Sequence, residues 1–228
     1  MWFDSDLVAT FVITGTDTGV GKTVLTTLLA RHLGARGIAV AALKPICSGG
    51  RGDARMFRAA LDGALTLDEI NPWHFRAPLA PLLAARRERK RVTLREVTSH
   101  VRAIARRHDM VLVEGAGGLL SPLGEGFVSR DLIAALHATP IIVAPNRLGT
   151  VGQVRLVLDA LSDGAARRSR IVLVDQQRRD SSAASNAPLL RELTSRLVVT
   201  LPWLGERISK TAGRISPALR RSIEALLR

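Results

Sequence analysis

The sequence predicts an α/β domain built on a mostly parallel sheet with helices on both faces. Three observations lead there. Short apolar runs rich in Val and Ile alternate with longer helical patterns, as expected of strands buried on both faces and joined by crossover helices. The first run opens into a glycine-rich segment that is followed at once by a helical pattern. The length of 228 residues suits one hydrophobic core, and residues 1–228 read as a single domain.

Taken in order, the expected strands are Val8–Ile13, Ile38–Leu43, Met110–Val113, Ile141–Ala144, Ile171–Val174 and Leu197–Leu201. Helices are expected between and after them, over Thr23–Leu33, Ala54–Leu61, Leu94–Arg107, Arg130–Leu136, Val151–Leu161 and Leu189–Arg196. A last amphipathic helix covers Pro217–Leu227. The second strand stops at Lys44 because Pro45 excludes a continuing helix and biases Lys44 to extended backbone. Asp53 is placed to cap the helix that begins at Ala54. Arg86–Arg91 is charge-dense and reads as a solvated turn or helix end, and Gln176–Asn186 as a polar loop.

Composition narrows the class. No apolar run reaches the roughly 18 residues of a membrane span, and the N-terminal residues lack the basic segment of a signal peptide. Cys47 is the only cysteine, so no intrachain disulfide forms. These features point to a cytoplasmic protein. The net charge of +13 comes mostly from Arg spread over many segments. It reads as a compositional bias, since no aromatic interleaving marks a nucleic-acid surface.

The chemistry is concentrated in a few segments. Gly15-Thr16-Asp17-Thr18-Gly19-Val20-Gly21-Lys22-Thr23 lies between a strand and a helix, the setting of a phosphate-binding P-loop. Backbone N–H groups and the helix N-terminus face the phosphates, and Lys22 adds a point charge. The Thr23 hydroxyl is placed to ligate Mg2+. The spacing departs from the usual G-x-x-x-x-G-K-[ST]: Thr16 stands where the first glycine belongs, with Gly15 one residue earlier. Glu114 closes the strand from Met110 and precedes Gly115, Ala116 and Gly117. A carboxylate there faces the crevice outside the strand ends, where it can hold a metal. Lys44 ends a neighbouring strand and faces the same crevice, with Ser48 close by and Asp53 able to offer an oxygen to the metal.

The ordered set GTDTGVGKT, KPICSGG with Asp53 following, NPWHFRAPLAP, LVEGAGGLLSPL, NRLGT and LPWLGE runs from Phe11 to Glu206. It resembles dethiobiotin synthetase, a P-loop NTPase that closes a ureido ring at the expense of ATP. The resemblance implies a homodimer acting on diaminopelargonate, CO2 and a nucleoside triphosphate with Mg2+. It gives Lys22, Lys44 and Thr18 catalytic roles, and Thr23, Asp53 and Glu114 the metal. The nucleotide would meet Gly19, Val20, Gly21, Lys22, Thr23, Val24, Asp53, Glu114, Gly115, Ala116 and Gly117. Its base would meet Asp175, Gln176, Pro202, Trp203 and Leu204. Ser48 would bind substrate, whose carboxylate would reach the helix start at Thr150, Val151 and Gly152 of the other subunit.

Three departures qualify that resemblance. Gly152-Gln153 stands where the family often has Asn-His, and Leu82 where a His is common. Asp175 aligns with the Asn that reads adenine, or else with the residue after it. A carboxylate only accepts hydrogen bonds, so the first alignment implies relaxed base selectivity with CTP or GTP accepted. The second leaves the amide role to Gln176 and ATP as the substrate. Cobyrinate-type synthetases and partition-type ATPases are the alternatives. The first usually carry a glutaminase domain, for which this chain has no room, and Asp17 occupies the place of the signature lysine of the second.

Overall fold

The computed structural model describes residues 8–204 and 216–227. The chain runs β1 (Ala9–Gly15), α1 (Lys22–Gly34), β2 (Val40–Leu43), β3 (Ile46–Ser48), α2 (Gly52–Ala60), α3 (Leu67–Ile70), β4 (Trp73–Phe75), α4 (Pro81–Arg87) and α5 (Leu94–Ala105). It continues through β5 (Met110–Glu114), β6 (Pro122–Gly124), β7 (Phe127–Val128), α6 (Ser129–Ala135), β8 (Thr139–Asn146), α7 (Thr150–Asp159), α8 (Asp163–Arg168), β9 (Arg170–Asp175), α9 (Asn186–Thr194), β10 (Leu197–Leu201) and α10 (Pro217–Ala225).

The six expected strands form one sheet in the order β10-β9-β8-β1-β5-β2, and every pairing in it is parallel. Every residue of β5 is buried, as is every residue from Phe11 to Gly15. Successive strand side chains point to opposite faces, so helices cover both sides, as expected. The strand order reverses at β1, which pairs with β5 on one side and β8 on the other. Ligands bind at such a switch point, in the crevice outside the strand ends. Among the described residues no helix is long and apolar enough to cross a membrane.

Element boundaries shift by a few residues, and one reading needs correction. Helix α2 begins at Gly52, so Asp53 lies in its first turn and is not the cap. Sequence patterns did not predict β3, β4, β6, β7, α3, α4 or α8. Each is short, and the two small sheets, β3 with β4 and β6 with β7, pair segments of two or three residues. Arg86–Arg91 does contain a helix end, that of α4. Gly205 and Glu206, part of the LPWLGE motif, lie outside the described residues.

The four-residue helix α3 is held by its cap. The Thr66 hydroxyl accepts from the Glu69 N–H, and the Glu69 carboxylate accepts from the Thr66 N–H at 2.8 Å, a reciprocal box. That N–H bond, with the Arg107 guanidinium beside it, lowers the Glu69 pKa from 4.5 to about 2. A carboxylate whose pKa falls on folding stabilises the fold above its unfolded value and loses that contribution as pH drops. Glu69→Gln should therefore lower Tm at pH 7. The gap to wild type should close between the ordinary carboxylate range and pH 2, measured by thermal melts across that range.

Candidate active site

Glycine geometry shapes the loop after β1. Gly19 and Gly21 take φ of 73° and 101°, the left-handed region that side chains disfavour. A Cβ on Gly15 would lie 2.7 Å from Val20 Cγ2 and 3.2 Å from Lys22 Nζ. The displaced glycine of the motif thus makes room for the lysine. Val20 is buried in the hydrophobic core. Lys22 is 6% exposed, and its ammonium donates to the Asp17 carbonyl at 2.7 Å. Burial lowers its pKa from 10.5 to about 8, opposed by the negative charge of Glu114.

A second loop closes over the first. Residues Gly115–Gly118 follow β5, and a Cβ on Gly118 would lie 3.3 Å from the Gly15 carbonyl oxygen. Gly115 packs against the Ser129 hydroxyl, which a Cβ there would meet at 2.6 Å. A side chain at either position would force its neighbour to shift, least at Gly118.

Glu114 is the hub. It is 1% exposed and accepts from the Lys44 ammonium at 2.5 Å and from the Thr23 hydroxyl at 2.9 Å, both on Oε1. The Thr26 hydroxyl lies 3.2 Å from its other oxygen. Lys44 also meets Asp53 Oδ2 at 2.7 Å. The attraction of Glu114 and Asp53 outweighs the cost of burial and raises the Lys44 pKa above its ordinary value, so this amine stays charged. Three segments far apart in sequence thus converge on one cluster.

The cluster opens into a cleft of about 760 Å³. Thr18, Gly19, Gly21, Lys22, Thr23 and Val24 line one side of it, and Lys44, Ser48 and Asp53 another, with Glu114, Ala116 and Gly117 between. The cleft is also walled by Pro78, Leu79, Ala80 and Pro81, and by Ser121 and Pro122. These belong to quoted motifs but carried no assigned role. The signal in the sequence was Pro81, since proline is favoured at the first position of a helix such as α4. The Ser48 hydroxyl donates to the Leu79 carbonyl at 2.5 Å and so ties the two walls together. The Cys47 thiol donates to the Gly50 carbonyl and the Asn71 side chain, both at 3.1 Å. Burial raises its pKa, which disfavours the reactive thiolate.

The remaining expected residues lie outside this cleft. Val174 abuts the P-loop: a Cβ on Gly21 would meet its Cγ2 at 3.2 Å. Asp175 follows it and is buried. One carboxylate oxygen accepts from the Asn146 amide at 2.8 Å, and the other accepts from the Arg179 guanidinium. The Gln176 amide donates to the Val174 carbonyl at 2.9 Å. Trp203 is half exposed beyond the end of β10, between Pro202 and Leu204. Gly149 caps α7 in the left-handed region. Behind it the Thr150 hydroxyl is buried with no hydrogen-bond partner, while Val151 and Gly152 are more open.

A P-loop with a buried carboxylate and a second lysine, at the switch point of a parallel sheet, defines a phosphate-handling α/β protein. Residues 9–210 match a family described as an AAA domain. A relative from Anaeromyxobacter dehalogenans, named ATP-dependent dethiobiotin synthetase, is 42% identical over 84% of this chain and 88% of its own. Relatives of the same name from Akkermansia muciniphila and Bacillus subtilis are 34% and 40% identical, over 87% and 65% of this chain and 91% and 66% of theirs. The chain belongs to the dethiobiotin synthetase family. The MinD cell division protein of Aquifex aeolicus shares the fold, with a TM-score of 0.60 at 15% identity over 96% of this chain and 95% of its own.

Proposed function

We propose that the chain is an ATP-dependent ligase of biotin biosynthesis, closing the ureido ring of dethiobiotin from 7,8-diaminononanoate (diaminopelargonate) and CO2. Family membership supports the overall reaction. The observation that supports these residues as its machinery is the shared cleft of Lys22, Thr23, Lys44 and Glu114.

In this reading one amine of the diamino acid adds to CO2 and loses a proton, giving a carbamate. A carbamate oxygen attacks the γ-phosphorus of ATP and ADP leaves. The second amine then attacks the carbamoyl carbon, and phosphate leaves as the ring closes. Such a transfer calls mainly for positioning and charge neutralisation. The Lys22 ammonium and the P-loop N–H groups hold the phosphates. The Lys44 ammonium neutralises the carbamate and the transferring phosphoryl group. Thr18 and Ser48 hydrogen-bond the substrate.

Mg2+ fits the donors present. Thr23, Asp53 and Glu114 offer hard oxygen ligands, and the gap between the two carboxylates already attracts the cationic Lys44. Among the described residues no group of three or more His, Cys, Asp and Glu could hold a metal. Mg2+ does not need one, since it keeps water and phosphate oxygens as ligands. Bound there, it would neutralise charge on the phosphates.

Phosphate release should require ATP, Mg2+, bicarbonate and the diamino acid, tested by leaving out each in turn. Hydrolysis indifferent to the diamino acid would overturn the ligase reading.

For the base, the Asp175 carboxylate is buried and turned to Asn146 and Arg179, and it has no donor for the ring nitrogen of adenine, so in this reading it does not select the base. Selectivity is relaxed because a contact is missing. A good bidentate base contact is worth about 1–3 kcal/mol. KM for GTP and CTP should accordingly fall within about tenfold of that for ATP. A ratio above about 100 would overturn this reading and return the amide role to Gln176.

The protein works as a homodimer in the cytoplasm, without membrane or nucleic acid. Leu148 precedes α7 and Leu156 lies within it, and they are 80% and 71% exposed. A groove lined by Asp17, Leu120 and Leu156 connects this face to the P-loop. The start of α7 offers its N–H groups to the substrate carboxylate. Leu156→Asp should yield monomers by light scattering and raise KM for the diamino acid. A dimer with unchanged KM would place the interface elsewhere.

A further inference from the structure

The segment between β2 and β3 carries Lys44 but cannot form a continuous ladder, because Pro45 has no N–H to give. Neighbouring groups hold it instead. The Lys44 N–H donates to the Ile70 carbonyl at 3.0 Å. The Asn71 amide donates to the Lys44 carbonyl at 2.7 Å. Asn71 itself is 0% exposed, and its side-chain oxygen accepts from the Cys47 thiol at 3.1 Å. One side chain therefore grips the strand end on both sides of Pro45. The backbone of Asn71 is held in turn: its carbonyl accepts from Arg51 at 2.9 Å, and Arg51 immediately precedes α2, which carries Asp53.

We propose that Asn71 is a positioning residue for Lys44, acting through the peptide that carries the lysine. The proposal rests on the catalytic role given to Lys44 above. Asparagine suits the task because its small side chain offers two donors and an acceptor at once. Aspartate has nearly the same shape but no donor, and it faces the Lys44 carbonyl with like charge. With the peptide released, the ammonium at the end of a long flexible side chain no longer meets the reacting oxygens in one place. Misplacement by about 1 Å can cost about 100-fold in rate.

The test is a double-mutant cycle on the full chain, reading phosphate release with ATP, Mg2+, bicarbonate and diaminopelargonate. Asn71→Asp should lower kcat about 10- to 100-fold while KM for ATP stays within about twofold. In a Lys44→Ala background the same change should cost nothing further, since the group it positions is gone. If Asn71→Asp does not fold, Asn71→Ser keeps one donor and should show a smaller loss, again only when Lys44 is present. Losses that multiply in the double mutant would mean a merely structural role and overturn the proposal. So would wild-type kcat in the Asn71 variant beside an impaired Lys44→Ala. Full activity in Lys44→Ala would instead overturn the role of Lys44, and this inference with it.

Discussion

Lys44→Ala will cut turnover by about 100- to 1000-fold, the usual loss for one preorganised charge at a developing anion, while ATP binding stays largely intact. The expected split follows from geometry. In the proposed mechanism Lys22 and the loop backbone hold the phosphates, while Lys44 comes to the same cleft from the end of β2. The negative charge of Glu114 and Asp53 outweighs burial and keeps its amine charged, as the proposed role of a fixed cation requires. Nucleotide affinity measured by calorimetry, beside single-turnover phosphate release, separates the two roles. Full activity in the variant would remove Lys44 from the mechanism. A matching loss of ATP affinity would make it part of the nucleotide site alone.

Glu114→Ala will be the most damaging single change to stability in the site. The carboxylate is 1% exposed and pairs with a lysine that is itself 7% exposed. Removing one member of a buried pair strands the other charge, at a typical cost of about 3–5 kcal/mol. Asp53 remains 2.7 Å from the Lys44 ammonium, which places the expected loss near the low end. In a chain of this size each kcal/mol moves Tm by about 2–4 °C, so a fall of about 6–12 °C is expected. The Thr23 and Thr26 hydroxyls lose their acceptor as well. Turnover should collapse even at temperatures where the variant is folded. A Tm within about 2 °C of wild type would mean that Lys44 finds another partner.

The P-loop, Lys44 and Glu114 were legible because each closes or follows an apolar run, and a parallel sheet brings the ends of such runs together. What escaped was set by partners distant in sequence. Asp53 reads both as a cap and as an oxygen donor to the crevice; the cap fails, and its pairing with Lys44 shows only in the fold. The restraint on Asp175 comes from Asn146 on β8 and from Arg179 in the following loop. No local pattern announces that convergence. Asn71 stood in a quoted motif, but its task depends on the break that Pro45 makes some 25 residues earlier, visible only once β3 and β4 lie side by side. The short strands themselves carry too few residues for periodicity to show.

The place of β1 has a consequence for how the protein is made. Its two sheet neighbours are β5 and β8, with Ala9 opposite Met110 and Phe11 opposite Thr139. On a ribosome the P-loop strand emerges early and must wait, unpaired, for partners roughly a hundred residues behind it. β2 waits too, since its ladder is also with β5. Nascent chains of such topology are slow to close and expose apolar edges meanwhile. Met110–Glu114 is thus the segment whose arrival lets the first half of the sheet form. Apolar-to-polar changes in β5 should cost soluble yield during synthesis more than equivalent changes in β10, which pairs at the sheet edge with β9 alone.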